Sequence, residues 1–501
     1  MTQFARSAPE SVGLRSRDIL ELIDRLEASG TEMHGLMILR GDTVAAEGWW
    51  APFAPGMRHG LQSHTKTYAA TGVGIAYSEG LLRLDEKIID IFPEYAPEEP
   101  GENLRLLTVR DVLCMGCGME AVPGRSAEWI RDFLATPVVH RPGTAFQYNS
   151  MASTLLCAIV ERKTGRDFCG YLAEKLFRVI GIREENVRWL FMPDGTPMGG
   201  SGMFSTTEDN LRLMKLYMNG GVWNGRRVLA QDYVEMATRL QNDSASEAAV
   251  NPRAVDNHVG YGFQIWMCRP RGVYRADGAM GQFTICVPDL DMIIAINETA
   301  GTPEGGIHWA QNTLNLCWEY LERVRDAGRG EGSAEDAEKL QRRLRTLSLP
   351  RPAWQPESPL RGEISGKRFR RRSGNLDIRI HRYEGPEAER QTETLALRFD
   401  STGCFLDMED PEGRTETVRI ATDGSRFSNL IGGDGEATRL VLGDGAWEKD
   451  NRFTVHLRWA ETCFVKTLVF TFEGGKCRVR EPESGDYFRP YRTDALYESE
   501  A

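Results

Sequence analysis

The chain contains no apolar run close to the roughly 18 residues that a membrane-spanning helix needs, so no membrane span is expected. Residues 1–10 also lack the apolar stretch of a secretory signal, and a cytoplasmic location with reduced cysteines is the expectation. Positive charge is in short supply: 61 lysines and arginines face 72 aspartates and glutamates, a formal charge of −11. A nucleic-acid or anionic-membrane partner would favour a basic stripe, so neither is expected. The one dense basic run, Lys367-Arg368-Phe369-Arg370-Arg371-Arg372, lies in strand-like sequence and reads as a solvated face. Ten cysteines include a single close pair, Cys114-x-x-Cys117, with no second pair at zinc-ribbon spacing. No metal and no cofactor are expected. The Gly-x-Ser-x-Gly elbow of the α/β-hydrolases is missing as well.

What is present is enough for more than one domain: 501 residues, of which 41% are hydrophobic. Residues 16–29 place Ile19, Leu20, Leu22, Ile23 and Leu26 on one side of an amphipathic helix. Residues 35–40 and 43–48, joined by Gly41-Asp42, read as a hairpin. From residue 63 to about 240 the pattern is mainly helical with long loops. Within it, Ser205-Thr206-Thr207-Glu208 reads as a capping box opening a helix over 210–219. Strand character returns at 260–267, 282–287 and 291–297, followed by a helix from about Pro303 to Arg325. A hairpin near the start and strands near residue 290 imply one discontinuous sheet with the helical middle inserted between its halves. Residues 328–359 read as a linker around a short charged helix. Beyond it the texture changes to alternation, with about eight runs such as 376–380, 394–399, 453–457 and 468–472. Those runs predict a small antiparallel barrel or sandwich over 360–501.

Ser63-His64-Thr65-Lys66 carries the chemical signal. A serine hydroxyl needs a base to become a nucleophile, and residues i and i+3 of a helix face the same way. The following residues 67–77 are apolar and small, as in a buried helix, and burial lowers a lysine pKa so that Lys66 can act as that base. Ser-x-x-Lys alone recurs by chance, so its partners decide. Tyr148, 85 residues after Ser63, stands in Phe146-Gln147-Tyr148-Asn149-Ser150 ahead of the apolar stretch 155–160.

With these segments the chain resembles the serine β-lactamase and penicillin-recognising superfamily, in its class C-like serine hydrolase and esterase branch. Residues 78–85, 107–113 and 199–206 resemble further segments of that family, in the family's order, and the likeness covers roughly residues 8 to 325. The resemblance implies an α+β fold, an antiparallel sheet flanked by helices with a mainly helical insertion, over residues 1–327. The all-β part, 360–501, would follow as a lipocalin-like barrel or sandwich. It implies Ser63 as nucleophile, Lys66 as base and Tyr148 as proton shuttle, with the cationic Lys66 lowering the pKa of Tyr148. Ser150 fills the third position of the tyrosine motif, either as a site residue or as a helix N-cap.

The family's third element, Lys-Thr-Gly or His-x-Gly on an edge strand, matches the stretch from Tyr274 to Gln282. Gly278 and Gly281-Gln282 look like the Gly-x-x-Gly-Gln version of amide- and ester-hydrolysing relatives, and the cation position falls on Ala276. The backbone N–H groups of Ser63 and Ala279 would then form the oxyanion hole, with Ser150, Ala276, Gly278 and Gln282 as substrate contacts. On an edge strand Ala276 and Gly278 share one face and Arg275 and Asp277 the other, so Arg275 does not replace the missing cation. His64 reads as a helix-surface or pocket-wall side chain, and His140 as a candidate pocket contact. The leading expectation is a hydrolase of a small, uncharged ester or amide. D-amino-acid peptidase, β-lactamase and acyl-transfer chemistry are the alternatives, and a homo-oligomer is left open. A non-catalytic binding scaffold would have no need of Ser63, Lys66 and Tyr148 together.

Overall fold

The run Met292-Ile293-Ile294-Ala295-Ile296-Asn297 offers an apolar residue to both sides of a strand, which suits only a strand covered on both faces. The computed structural model, which describes residues 4–300, 310–327, 332–350, 355, 357–378, 391–431, 440–482 and 493–500, puts it at the centre of a seven-stranded sheet. The strands are β1 (Ala5–Arg6), β2 (Glu32–Arg40), β3 (Thr43–Trp49), β4 (Trp266–Met267), β5 (Tyr274–Gly278), β6 (Gln282–Val287) and β7 (Met292–Thr299). Their order is β1-β3-β2-β7-β6-β5-β4. Neighbours are antiparallel except β1 with β3, and Ile294 pairs with Ile38 across the join between the early hairpin and the late strands. The sheet is thus discontinuous in sequence.

Helix α1 (Ser16–Ala28) buries Ile19, Leu22, Ile23 and Leu26 and packs against α5 (Ala310–Ala327). The expected start of α5 near Pro303 lies outside the described residues. Between the sheet's halves, α2 (Thr65–Ser78) is buried at every position from Thr65 to Ala76 and packs on α3 (Ser150–Thr164). A helix enclosed all round has no polar face, which accounts for its small and apolar composition. Helix α4 (Thr207–Met218) packs on β7 and starts three residues before the expected 210, with its cap one residue after Ser205. Its N-cap is Thr206, paired reciprocally with Asp209. Ser205 instead donates its hydroxyl to Asn210 Oδ1 at 2.8 Å. Helix α6 (Ala334–Arg345) belongs to the same compact unit, which extends to Ser348.

The second compact unit begins at Leu349. It holds ten antiparallel strands, β8 (Arg368–Ser373), β9 (Thr394–Phe399), β10 (Cys404–Glu409), β11 (Thr415–Ile420), β12 (Phe427–Leu430), β13 (Leu440–Lys449), β14 (Arg452–Trp459), β15 (Val465–Glu473), β16 (Lys476–Arg480) and β17 (Asp494–Ser499). Their order is β11-β10-β9-β8-β17-β16-β15-β14-β13-β12. Ala421, just past β11, bonds Gly443 O and receives Gly445 N, so the two ends of the sheet meet in a nearly closed barrel. Burial alternates along β10, and the interior is filled by rings: Trp447 lies 5.2 Å from Phe453 and 5.7 Å from Phe399. The alternation at 376–380 misleads. Residues 376–378 form no strand, and 379–380 lie outside the described residues. Among the described residues no helix is long and apolar enough to cross a membrane.

Candidate active site

Ser63 sits in a single turn of 3-10 helix, Gln62–His64, that runs into α2. Its neighbours Gln62 and His64 are buried while Ser63 itself stays partly open. One helical turn on, Lys66 is buried, with Nζ 3.0 Å from Ser63 Oγ, 3.1 Å from Ser150 Oγ and 2.5 Å from the Gly200 carbonyl oxygen. The i, i+3 spacing therefore brings the two side chains into contact, and Ser150 joins them. Ser150 is free for this because Asn149 caps α3, its side chain accepting from Met151 N at 2.9 Å and Ala152 N at 3.0 Å.

Tyr148 completes the group. Its hydroxyl lies close enough to the Ser63 side chain for that serine to act on its pKa, and its ring stacks on Trp266 at 5.6 Å and 20°. Lys66 Nζ lies 4.7 Å from the centre of the Tyr148 ring. The expected lowering of the Tyr148 pKa is reversed. Enclosure pushes the phenol above its ordinary range, Ser63 pulls it down, and the charges of Asp277 and Glu247 push it up further. Desolvation of the phenolate is the largest of these effects.

The turn between β5 and β6 reaches the same place. A Cβ on Gly278 would lie 2.1 Å from the Leu61 carbonyl oxygen and 3.2 Å from His64 N, so only glycine lets β5 approach the Ser63 turn. The turn bends at Met280 (φ 65°) and Gly281 (φ 91°), leaving Ala279 partly exposed at its start. Gly281 lies against the Glu298 carboxyl, which is fully buried. Burial raises the Glu298 pKa well above the usual range, and both its oxygens lie about one hydrogen bond from Thr313 Oγ1, at 2.9 and 3.0 Å.

Two expected substrate contacts do not hold. The Gln282 side chain is fully buried, donates to Glu298 O at 2.7 Å and accepts from Asn297 Nδ2 at 3.0 Å. It braces the turn that carries Ala279. Ala276 is sealed in the hydrophobic core and offers no polar group. His64 is a buried wall residue held by Thr284 Oγ1 at 2.9 Å, its pKa lowered to about 4 by burial. His140 borders a cleft of about 610 Å³ with Phe146 and Gln147. Cys114 and Cys117 are buried thiols, and burial pushes Cys114 up to about 12.

Several participants were not singled out from the sequence. Trp266 gives no local signal, since its contact with Tyr148 is made across the fold. The Gly200 carbonyl is a backbone group and carries no residue-type signature, although its glycine-rich segment stood out.

The sequence model of the family described as Beta-lactamase matches residues 23–314, more than half of the chain. A 6-aminohexanoate-dimer hydrolase of Paenarthrobacter ureafaciens is 29% identical over 237 residues, which cover 43% of this chain and 59% of that protein. An Escherichia coli (strain K12) protein provisionally named as a D-alanyl-D-alanine carboxypeptidase is 24% identical over 252 residues, 38% of this chain and 57% of its own. The chain thus spans less than two thirds of the length of these curated relatives. Among solved structures, a penicillin-binding protein homologue from Caulobacter crescentus aligns with a TM-score of 0.48 at 17% identity. That alignment covers 61% of this chain and 98% of the other.

Proposed function

The chain belongs to the beta-lactamase family, and we propose that it is a serine hydrolase that cleaves a small ester or amide through an acyl-enzyme on Ser63. The observation that carries this reading is the setting of one hydroxyl: Lys66 Nζ stands 3.0 Å from Ser63 Oγ and 4.7 Å from the centre of the Tyr148 ring. A serine with a base on one side and a proton carrier on the other is the arrangement acyl transfer needs.

In the reaction, neutral Lys66 accepts the Ser63 proton through its lone pair, while its own N–H donates to the Gly200 carbonyl, which can only accept. Ser63 Oγ bonds to the substrate carbonyl carbon and the carbonyl oxygen becomes an oxyanion. The backbone N–H groups of Ser63 and Ala279 receive it, a role supported by the close approach that Gly278 permits. Tyr148 passes its proton to the departing oxygen or nitrogen as the bond to the carbonyl carbon breaks, and recovers one from Lys66. A phenol held neutral is suited to giving a proton away. Water then repeats the cycle on the acyl-enzyme. The relative named as a 6-aminohexanoate-dimer hydrolase supports hydrolysis of a small substrate. Ala276, where the family carries a cation, argues against substrates that depend on a carboxylate, such as cephalosporins.

A fluorophosphonate probe followed by peptide mapping tests the reading. The adduct is expected on Ser63, and labelling that persists in Ser63→Ala would overturn the assignment. Lys66→Ala and Tyr148→Phe should each lower turnover at least about 10²-fold with the fold intact, as loss of acid–base catalysis implies.

A further inference from the structure

Met115 and Gln264 hold a left-handed backbone, at φ 58° and 57°, a conformation that residues with a Cβ seldom adopt. Strain of this kind persists only where the surroundings fix it, and it gathers at active sites. Both residues are buried, and both lead to Tyr148. The Met115 carbonyl oxygen receives Gln147 N at 2.9 Å and its sulfur receives Asn149 N at 3.2 Å. The residues before and after the tyrosine are thus both tied to Met115. Gln264 stands two residues ahead of Trp266, the ring on which Tyr148 stacks, and its own N–H donates to the Leu113 carbonyl oxygen at 3.1 Å.

The Gln264 amide is used in every direction. Nε2 donates to the carbonyl oxygens of Leu113 at 2.8 Å and Val112 at 3.3 Å, and Oε1 accepts from Ser153 Oγ at 2.6 Å. Its backbone carbonyl takes the Thr67 hydroxyl at 2.9 Å. Each anchor lies a short step from a side chain of the site. Thr67 follows Lys66 on α2, Ser153 is about one turn beyond Ser150 on α3, and Leu113 precedes Met115 by two residues. One residue therefore joins the helix of the base, the helix of Ser150 and both sides of the tyrosine's cradle. Glycine would fit this backbone more easily, but it would make none of the amide's bonds to Leu113, Val112 and Ser153.

We propose that Gln264 is a positioning residue that acts through Tyr148, holding the phenol where it can pass its proton to the leaving group. This rests on the serine hydrolase reading and adds to it a buried residue that works one step behind the chemistry. A leaving group that departs readily as an anion has little need of that proton, and a poor one depends on it. Loss of Gln264 should therefore be felt in proportion to the basicity of the leaving group. Loss of a bond that only supports the fold would weigh on all leaving groups alike.

Two butyrate esters with the same acyl group test this. 4-Nitrophenyl butyrate releases an acidic phenol and ethyl butyrate a basic alkoxide, and kcat/KM reports acylation for both. Gln264→Gly keeps the left-handed backbone and removes the amide. It should lower kcat/KM for ethyl butyrate by about 10²-fold, the scale of a displacement of about 1 Å at a catalytic centre, and largely spare 4-nitrophenyl butyrate. Tyr148→Phe should show the same selectivity. Adding Gln264→Gly to Tyr148→Phe should cause no further loss on ethyl butyrate, because residues that act as a unit are not additive. Ser153→Ala removes the donor to Gln264 Oε1 and should shift the ester ratio the same way to a lesser degree, so it decides the matter where Gln264→Gly does not fold. Equal losses on both esters, equal losses with and without Tyr148, or a wild-type ratio in the variants that fold would overturn the proposal and leave the hydrolase reading standing. A wild-type ratio in Tyr148→Phe would remove the proton-carrier role and this proposal with it, while labelling at Ser63 still reported the nucleophile. Absence of both ester hydrolysis and Ser63 labelling would remove the parent reading and this one together.

Discussion

In the first unit the ionisable groups near Ser63 are taken out of water, whereas the basic run of the second unit stands on a strand surface in pairs. Lys66, Arg275 and Glu298 are all essentially inaccessible, and each is held by a short set of partners. In the barrel, Arg368 pairs with Glu409 and Glu500, Arg370 and Arg371 with Glu393, and Arg372 with Glu498. Those side chains from Arg368, Arg370 and Arg372 are half exposed or more. Enclosing an ion costs several kcal/mol even after relaxation, and an exposed pair returns about 1 kcal/mol at most. The basic run of the barrel thus costs little in desolvation, although the barrel also buries Asp444, Arg458 and Lys466 beside its aromatic interior. The first unit accepts the cost of desolvation beside Ser63, Lys66 and Tyr148.

The strongest way to break that contrast is to disturb the approach of β5 to the Ser63 turn without touching any charge. Gly278→Ala places a methyl where the Leu61 carbonyl oxygen already stands, 2.1 Å from the ideal Cβ. Backbone must move on one side or the other. A displacement of about 1 Å at a catalytic centre can cost about 10²-fold in rate, so kcat should fall by that order. Circular dichroism should show the fold kept. If Gly278→Ala turns over at the wild-type rate, the turn does not position the oxyanion donors.

The contrast also marks what could be read before any coordinates. The i, i+3 spacing of Ser63 and Lys66, the hairpin and the apolar central strand are local patterns, and each has one structural solution. The helix cap at 205–209 was one residue off because Ser205 and Thr206 are both good caps, and the choice depends on where Asn210 draws the spare hydroxyl. Gln282 misled for another reason. A glutamine after two motif glycines reads as a ligand contact, yet its partners, Asn297 and the Glu298 carbonyl, come from the neighbouring strand. The direction of the Tyr148 pKa turned on the depth of its enclosure, which spacing does not report. Arg275 could be excluded from the site by strand alternation alone, but that its guanidinium is buried and paired with Asp277 is a fact of tertiary packing.

Enclosed titratable groups should make the first unit's stability depend on pH. Burial lowers the His64 pKa from 6.5 to about 4, so the unfolded chain binds the proton more readily. The sign follows: the favourable contribution is complete above about pH 6.5 and is lost as pH falls toward 4. Between pH 7 and pH 5 this one group should remove about 2 kcal/mol. Glu298 acts with the opposite sign. Its raised pKa means that its contribution is full in acid and is lost as pH rises through the folded-state value. Urea titrations at pH 7 and pH 5 on wild type and His64→Gln would separate the two, because the glutamine variant should lose about 2 kcal/mol less on acidification. Equal losses would mean that His64 is not held neutral.

The smallest effect should come from the basic run that dominates the sequence of the barrel. Arg370 is 59% exposed, and its Nε lies 3.3 Å from a Glu393 carboxylate that also serves Arg371. Replacing it leaves Glu393 with its second partner and exposes no buried group. Exposed ion pairs are worth about 0–1 kcal/mol and are screened by salt, so Arg370→Ala should change the unfolding free energy of the barrel by no more than about 0.5 kcal/mol. The change should shrink further in 0.5 M salt, because the Debye length there is under about 8 Å. Ester turnover should be unaffected. A loss of turnover in Arg370→Ala would show that this face takes part in catalysis or substrate capture. The division between a chemically active first unit and a charge-paired barrel would then fail at its least expected point.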